Sequence, residues 1–163
     1  MSAQQAPDFT LDHIKGHPVS LSSYRGRPVV LIFAGKDSGS QARDIVVALR
    51  NRYAPDQLPA VSVLDMHGIP RLVQGIAKGQ IQKGYNDAVK EAQADTQAKG
   101  WAMPADPAQL VVMLMDWDGK VTASYGLSGV DKQATAVLID ENGAIQGYGT
   151  GAQGGEQILA LLG

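Results

Sequence analysis

Residues 28–65 read PVVLIFAGKDSGSQARDIVVALRNRYAPDQLPAVSVLD, and they indicate the architecture of the chain more clearly than any other segment. It opens with Pro28–Ala34, a continuous apolar and largely β-branched run that predicts a strand buried on both faces. Residues 38–53 then place apolar side chains at helical spacing, and Pro55 ends that helix. Residues 58–65 predict a second buried strand. A strand, a helix and a strand in this order predict a parallel βαβ unit with a right-handed crossover.

The flanking sequence predicts further short strands and helices around this unit. Two short alternating pieces meet at Lys15-Gly16 and predict a small N-terminal hairpin. The remaining expected elements are strands at 110–116, 134–140 and 144–148 and helices at 120–125 and 154–162. We therefore expect one α/β domain over residues 1–163, with a mixed central sheet and helices on both faces.

A helical insertion of about 67–105 separates the second and third central strands. Its residues 69–101 have a helical composition, with Gly75, Gly79 and Gly84 as candidate interruptions. Within 80–99 an apolar stripe indicates one packed face, made of Ile81, Tyr85, Val89 and Ala92. We expect that face to pack on the core or on a neighbouring subunit, because so long a connection without secondary structure is improbable in a compact domain.

Composition excludes several classes of function. The 163 residues include no cysteine, so disulfides, thiolate metal sites and thiol catalysis by this chain alone are ruled out. The net charge of -2 comes from charges that alternate in sign, which argues against nucleic-acid binding. No apolar run approaches a membrane span, and Met1–Gln5 has no cationic start typical of a signal peptide. We expect a cytoplasmic protein that needs no metal and no cofactor.

Several segments together carry a family resemblance. The segment APDFTL at 6–11 is followed by VSLSSYRGRPVVLIF at 19–33, then by DG at 118–119, YGL at 125–127 and VLIDENG at 137–143. In this order and spacing they resemble the thioredoxin superfamily, in its peroxiredoxin-like AhpC/TSA (redoxin) branch. The resemblance covers nearly the whole chain outside about 67–105 and implies a three-layer thioredoxin-like fold. Taken alone, it would imply an antioxidant or thiol oxidoreductase role.

The resemblance breaks at the positions where that family carries out its chemistry. Ser38 stands where the family's first cysteine is expected, and Gln41 where the second is. Ala134 occupies the place of the cis-proline, or of the arginine, that lies beside the thiol. The fold is therefore expected without the catalytic residues, which leaves these three as vestigial active-site positions.

The vestigial positions still suggest candidate ligand contacts. Ser38-Gly39-Ser40-Gln41 matches a capping box at the helix start, and the helix N-terminus could alternatively hold an anion. The fold would place this segment beside the turn before the penultimate strand and leave a shallow groove. The ligand-binding candidates are Lys36, Ser38, Gln41, Gln133, Thr135 and, as the one candidate base, His67.

Three hypotheses follow from these observations. The first is a redox-inactive thioredoxin-like protein that acts by binding a protein partner or a small ligand. The second is an oligomer-forming or accessory subunit that makes contacts through the 67–105 insertion. The third is a non-thiol enzyme that reuses the groove around Ser38. Site chemistry favours the first, since a fold does not by itself determine a function.

Overall fold

A computed structural model describes residues 4–163 and places seven strands in one sheet, in the order β2-β1-β5-β4-β3-β6-β7. The strands are β1 Thr10–His13, β2 Pro18–Ser20, β3 Val29–Ala34, β4 Ala60–Asp65, β5 Val112–Asp116, β6 Thr135–Ile139 and β7 Ile145–Thr150. The three central strands β3, β4 and β5 are parallel, and the remaining pairs are antiparallel. The expected mixed α/β sheet is confirmed.

Four helices cover the two faces of this sheet. They are α1 Gly39–Arg50, α2 Gln74–Ala98, α3 Lys120–Ser124 and α4 Gly154–Leu162. Alternate residues of β3 point to opposite faces, so Val30 and Ile32 pack with α1 and α4 while Leu31 and Phe33 pack against the α3 side. All six residues of β3 are buried, which explains the continuous apolar run that identified it in the sequence.

The N-terminal hairpin extends the sheet on its β5 side. β1 pairs antiparallel with β2, as the sequence predicted, and also with β5, which the sequence did not indicate. Imidazole rings meet in this hairpin: His13 stacks on His17, and the Tyr85 ring meets His13 edge-on with ring centroids 5.3 Å apart. The hairpin therefore contacts the inserted helix as well as the sheet.

The insertion forms one uninterrupted helix. After a short 3-10 turn at Arg71–Val73, α2 runs for 25 residues, so the expected glycine interruptions are wrong. Glycine lowers the stability of a helix interior by only about 1 kcal/mol per residue, and the packing of one face outweighs that cost. Tyr85 and Ala92 are fully buried and Ile81 and Val89 partly buried, which confirms the predicted face, here packed against the core.

Ion pairs join α2 to α1 over only part of their length. Arg50 is almost fully buried and pairs with Asp95 at 2.9 Å and with Glu91 at 3.6 Å, while Arg43 contacts Glu91 at 3.0 Å. The partners occur in the same order on both helices, so the helices run in the same direction from the same edge of the sheet. The contacts run along α1 from Arg43 to Arg50 but involve only the second half of α2.

Candidate functional site

Ser38, at the first vestigial position, is fully buried and its hydroxyl is already used. It donates to the carbonyl of Val130 at 2.5 Å and accepts from the N–H of Gly35 at 3.0 Å. It makes no capping bond to α1, so the predicted capping box is wrong. The hydroxyl instead bonds to the loop before β6. Because its proton is directed to a carbonyl oxygen and not to a base, Ser38 is not arranged as a nucleophile.

Gln41, at the second vestigial position, binds the backbone ahead of β6. Its amide oxygen accepts from the N–H of Ala134 at 2.8 Å, and its amide nitrogen donates to the carbonyl of Lys132 at 3.1 Å. No peptide bond in residues 4–163 is cis, so Ala134 does not reproduce a cis-proline. The polar backbone groups beside the former thiol position are thus satisfied by a side chain of the protein itself.

The two loops at this edge are also in direct backbone contact. The N–H of Asp37 donates to the carbonyl of Asp131 at 2.9 Å. A Cβ at Gly35 would come within 2.7 Å of the Cα of Asp131, so only glycine permits this approach. The loop after β3 and the loop before β6 therefore form one closed unit, and the shallow groove expected between them is filled.

The structure separates the six candidate ligand contacts. Ser38 and Thr135 are buried, Gln41 is half-buried and bonded, and Lys36, Gln133 and His67 are exposed. Ligand binding by any of them stays a prediction. Only Lys36 lines a substantial cavity, so the structure does not bring the six together as one site.

His67 forms a dyad that the sequence analysis missed. Its Nδ1 lies 2.6 Å from Oδ1 of Asp65, the last residue of β4, and its backbone N–H donates to the same oxygen. The hydrogen bond and the charge of Asp65 raise the pKa of His67 above its usual value. No hydrogen bond joins His67 to Ser38 among the residues described. The Asp-x-His spacing at a strand end was the available sequence signal.

A cleft of about 620 Å³ opens beside the vestigial site, between α1 and α2. Its floor is formed mainly by Leu64 of β4, by Met66 directly after that strand and by Met113 of β5. Lys36 and the start of α1 lie at one end, where Gly35, Gly39 and Ser40 contribute to the lining. The cleft is mostly apolar and lies where α/β folds commonly bind ligands, at the carboxyl ends of parallel strands.

Small residues on α2 leave the space that forms the cleft. Ala77, Gly84 and Ala88 line the cleft opposite α1, and a Cβ built at Gly84 meets nothing within 4 Å. Their spacing places them on one side of the helix, next to the packed stripe. In the sequence, Gly84 indicated only a candidate helix interruption, although small residues beside an apolar stripe were the available signal for a gap.

Comparison with known proteins supports the resemblance seen in the sequence. Residues 2–65 match the AhpC/TSA family, and these residues contain β1–β4 and α1. A comparison with curated proteins finds no match. The matched part of the chain ends before the insertion and before the loop that precedes β6. The family match therefore concerns the βαβ unit and the hairpin.

Solved structures similar to the whole chain are thioredoxin-like proteins. A Chlorobium tepidum protein provisionally described as the thiol:disulfide interchange protein DsbE is 23% identical, with a TM-score of 0.60, over 100% of this chain and 99% of that chain. The exposed lipoprotein thioredoxin Etrx1 of Streptococcus pneumoniae is 21% identical, with a TM-score of 0.59, over 96% of this chain and 98% of that chain. At these identities the similarity establishes the fold alone.

Residues 4–163 contain neither a metal-binding cluster nor a membrane-spanning helix. No group of three or more histidine, aspartate or glutamate side chains there is arranged to hold a metal ion. Within the same residues, no helix has the length and apolarity needed to cross a bilayer.

Proposed function

We propose that this cysteine-free chain, which has a thioredoxin-like fold and matches the AhpC/TSA family over residues 2–65, acts by binding a ligand rather than by thiol chemistry. The single observation that carries this proposal is the apolar cleft of about 620 Å³ beside the vestigial active site. A largely apolar concavity with a few polar groups is the common form of a small-molecule site.

The state of the vestigial site supports the same proposal. Thiol exchange and peroxide reduction need a thiolate, and this chain has none. Gln41 satisfies the backbone groups at Lys132 and Ala134, so the edge beside the former thiol is closed to an incoming chain. The cleft lies on the other side of α1, against α2.

Binding can be tested with N-phenylnaphthylamine, a neutral fluorophore that brightens in apolar sites. We expect the unmodified chain to enhance its fluorescence. Gly84→Leu should abolish the enhancement by filling the cleft, since a side chain there enters open space. Gly79→Leu is the matched control, because it lies on the same helix with equally open space and does not line the cleft.

Both variants should remain folded, since leucine favours a helix over glycine by about 1 kcal/mol. Enhancement that is absent in the unmodified chain, or that survives Gly84→Leu, would remove the basis for a ligand site between α1 and α2.

The absence of thiol chemistry has a separate test. Insulin-disulfide reduction and peroxide consumption should be at background for the unmodified chain. The double variant Ser38→Cys/Gln41→Cys, assayed in parallel, reports whether the scaffold alone can support these reactions. Activity in the unmodified chain would overturn the argument from its composition.

A second candidate function is favoured by one observation. Leu72, Val73 and Ile76, at the start of the insertion, are large apolar side chains with substantial exposure, and Leu72 is 97% exposed. We propose that this patch contacts a protein partner or a second copy of the chain, which would make the protein an oligomer-forming or accessory subunit. A cytoplasmic location, without nucleic-acid or membrane partners, also stays a proposal from the sequence.

A further inference from the structure

We infer that the apolar patch of one copy, formed by Leu72, Val73 and Ile76, enters the cleft between α1 and α2 of a second copy, so that self-association and ligand binding exclude each other. This inference rests on both functions proposed above and names a second copy of the chain as the partner. Three features carry it: the early start of α2 relative to α1, the continuity of the patch with the cleft, and the distribution of charge along α2.

The start of α2 has no partner because α1 begins later along the same direction. The ion pair between Arg43 and Glu91 joins the fifth residue of α1 to the eighteenth residue of α2. α2 therefore has thirteen more residues ahead of this pair than α1 has, which is about 20 Å of helix. Leu72, at 97% exposure, and Ile76, at 66%, lie in this leading part and find no surface of α1 to pack against.

The apolar patch continues one wall of the cleft. Val73, Ala77 and Gly84 follow one another at helical spacing, and the last two line the cleft. Ile69, just before the patch, lines it as well. A protruding apolar surface and a recessed one thus lie side by side on the same molecule. Two copies related by a two-fold axis can each place the patch in the cleft of the other, which is the isologous arrangement that most homodimers adopt.

Contact between two patches alone would be too small for a stable dimer. A stable interface buries about 800 Å² on each partner, and three aliphatic side chains, two of them partly covered, expose far less. Insertion into the cleft also buries its walls and its apolar floor of Leu64, Met66 and Met113. The cleft is therefore the surface that receives the patch.

Charge along α2 favours the same arrangement. When the two-fold axis crosses α2, the two copies of this helix run antiparallel and the start of one lies beside the second half of the other. Residues 71–80 contain two basic side chains and no acidic one, whereas residues 84–98 contain three acidic side chains and one basic one. Arginines of α1 pair with Glu91 and Asp95, but Asp87, which lines the cleft, forms no ion pair among residues 4–163. The basic start of a second α2 supplies a partner for Asp87, while Lys36 lies on the opposite wall, at α1.

Competition between the two kinds of binding can be measured with N-phenylnaphthylamine and light scattering. When the chain is about ten times more concentrated than the dissociation constant of the dimer, about one fifth of the chains are free, so the apparent dissociation constant of trace fluorophore should rise about fivefold over its value in dilute solution. Leu72→Ser/Ile76→Ser should remove this rise, because its clefts stay open. Saturating fluorophore should lower the mass of the concentrated unmodified chain.

The receiving surface can be tested by filling it. Gly84→Leu should lower the mass of the concentrated chain, since the added side chain occupies the cleft. Ala94→Leu is the matched control, because Ala94 is exposed on the same helix and does not line the cleft. Asp87→Asn should weaken self-association roughly threefold through the loss of exposed ion pairs. Asp44→Asn, at an exposed position of α1 outside the lining, should not.

The outcomes separate this inference from the functions on which it rests. If the fluorophore binds and the chain self-associates, but neither affects the other, the mutual exclusion is wrong and both proposed functions stand. If Gly84→Leu leaves the mass unchanged, the patch meets some surface other than the cleft and the inference is wrong. If the fluorophore fails to bind, or the unmodified chain stays monomeric, the corresponding proposed function fails and the inference fails with it.

Discussion

At the scale of single residues, Gln41 does the most to distinguish this site from that of a thiol enzyme. Replacing it by alanine removes both of its bonds and leaves the buried N–H of Ala134 without a partner. We expect Gln41→Ala to lower the free energy of unfolding by about 1–3 kcal/mol, measured by urea denaturation. Gln133→Ala, at an exposed position in the same loop, should change it by less than about 0.5 kcal/mol. If Gln41→Ala lowered the free energy of unfolding no more than Gln133→Ala does, the two hydrogen bonds of Gln41 would contribute nothing to stability.

His13 makes stability depend on pH. Its Nδ1 accepts from the N–H of Lys15, so its other nitrogen carries the proton and faces the carbonyl of Val111. Burial, aided by the neighbouring His17 and Lys15, lowers the pKa of His13 below 6.5. The unfolded chain then binds more protons than the folded one below about pH 6.5, so stability falls as the pH is lowered through that range.

We expect the free energy of unfolding of the unmodified chain to fall from pH 7 to pH 5 relative to that of His13→Gln. The comparison cancels the contribution of His67, whose raised pKa acts in the opposite direction in both proteins. Urea denaturation at several pH values measures it. A constant difference between the two proteins across this range would contradict the prediction.

At the scale of elements, the attachment of α2 to α1 depends on one of two arginines. Arg50 has a side chain only 7% exposed, whereas the side chain of Arg43 is 63% exposed. We expect Arg50→Ala to lower the free energy of unfolding by about 2 kcal/mol, because carboxylates on α2 lose a buried partner. Arg43→Ala should cost at most about 1 kcal/mol. Denaturant unfolding of both variants, compared at equal salt, tests the ranking.

Secondary structure was largely predictable because each element has a clear local signal. The continuous apolar run at 28–34 predicted β3, and the strands expected at 134–140 and 144–148 and the helix expected at 154–162 lie close to the observed bounds of β6, β7 and α4. What the sequence did not reveal depends on contacts between distant residues. Ser38 bonds to Val130 and Gln41 to Ala134, and no local pattern at the helix start distinguishes these bonds from a capping box.

The candidate site was less predictable than the fold for the same reason. The cleft arises between two helices that are separated by more than twenty residues of chain and that are joined by ion pairs only through the second half of α2. Of the six candidate ligand contacts chosen from the sequence, Lys36 alone lines it. The former thiol positions and the cleft lie at the same edge of the sheet, on different sides of α1.

At the scale of the whole molecule, the exposed apolar patch at the start of the insertion predicts self-association. We expect Leu72→Ser/Ile76→Ser to lower the mass measured by light scattering at high concentration, while thermal stability stays the same because both side chains are exposed. Lys83→Ser, at an exposed position on α2, is the control. A mass that is monomeric in the unmodified chain, or unaffected by the double substitution, would contradict the contact between copies.

The order of strands has a consequence for how the chain is made. β3 and β4 are close in sequence, so the central βαβ unit can form as soon as residue 65 has left the ribosome. The hairpin is synthesised first, yet β1 pairs with β5, which begins about a hundred residues later. At bacterial and eukaryotic rates of about 5–20 residues per second, β1 waits roughly 5–20 s for its partner. The earliest strand to be synthesised is therefore among the last to join the sheet.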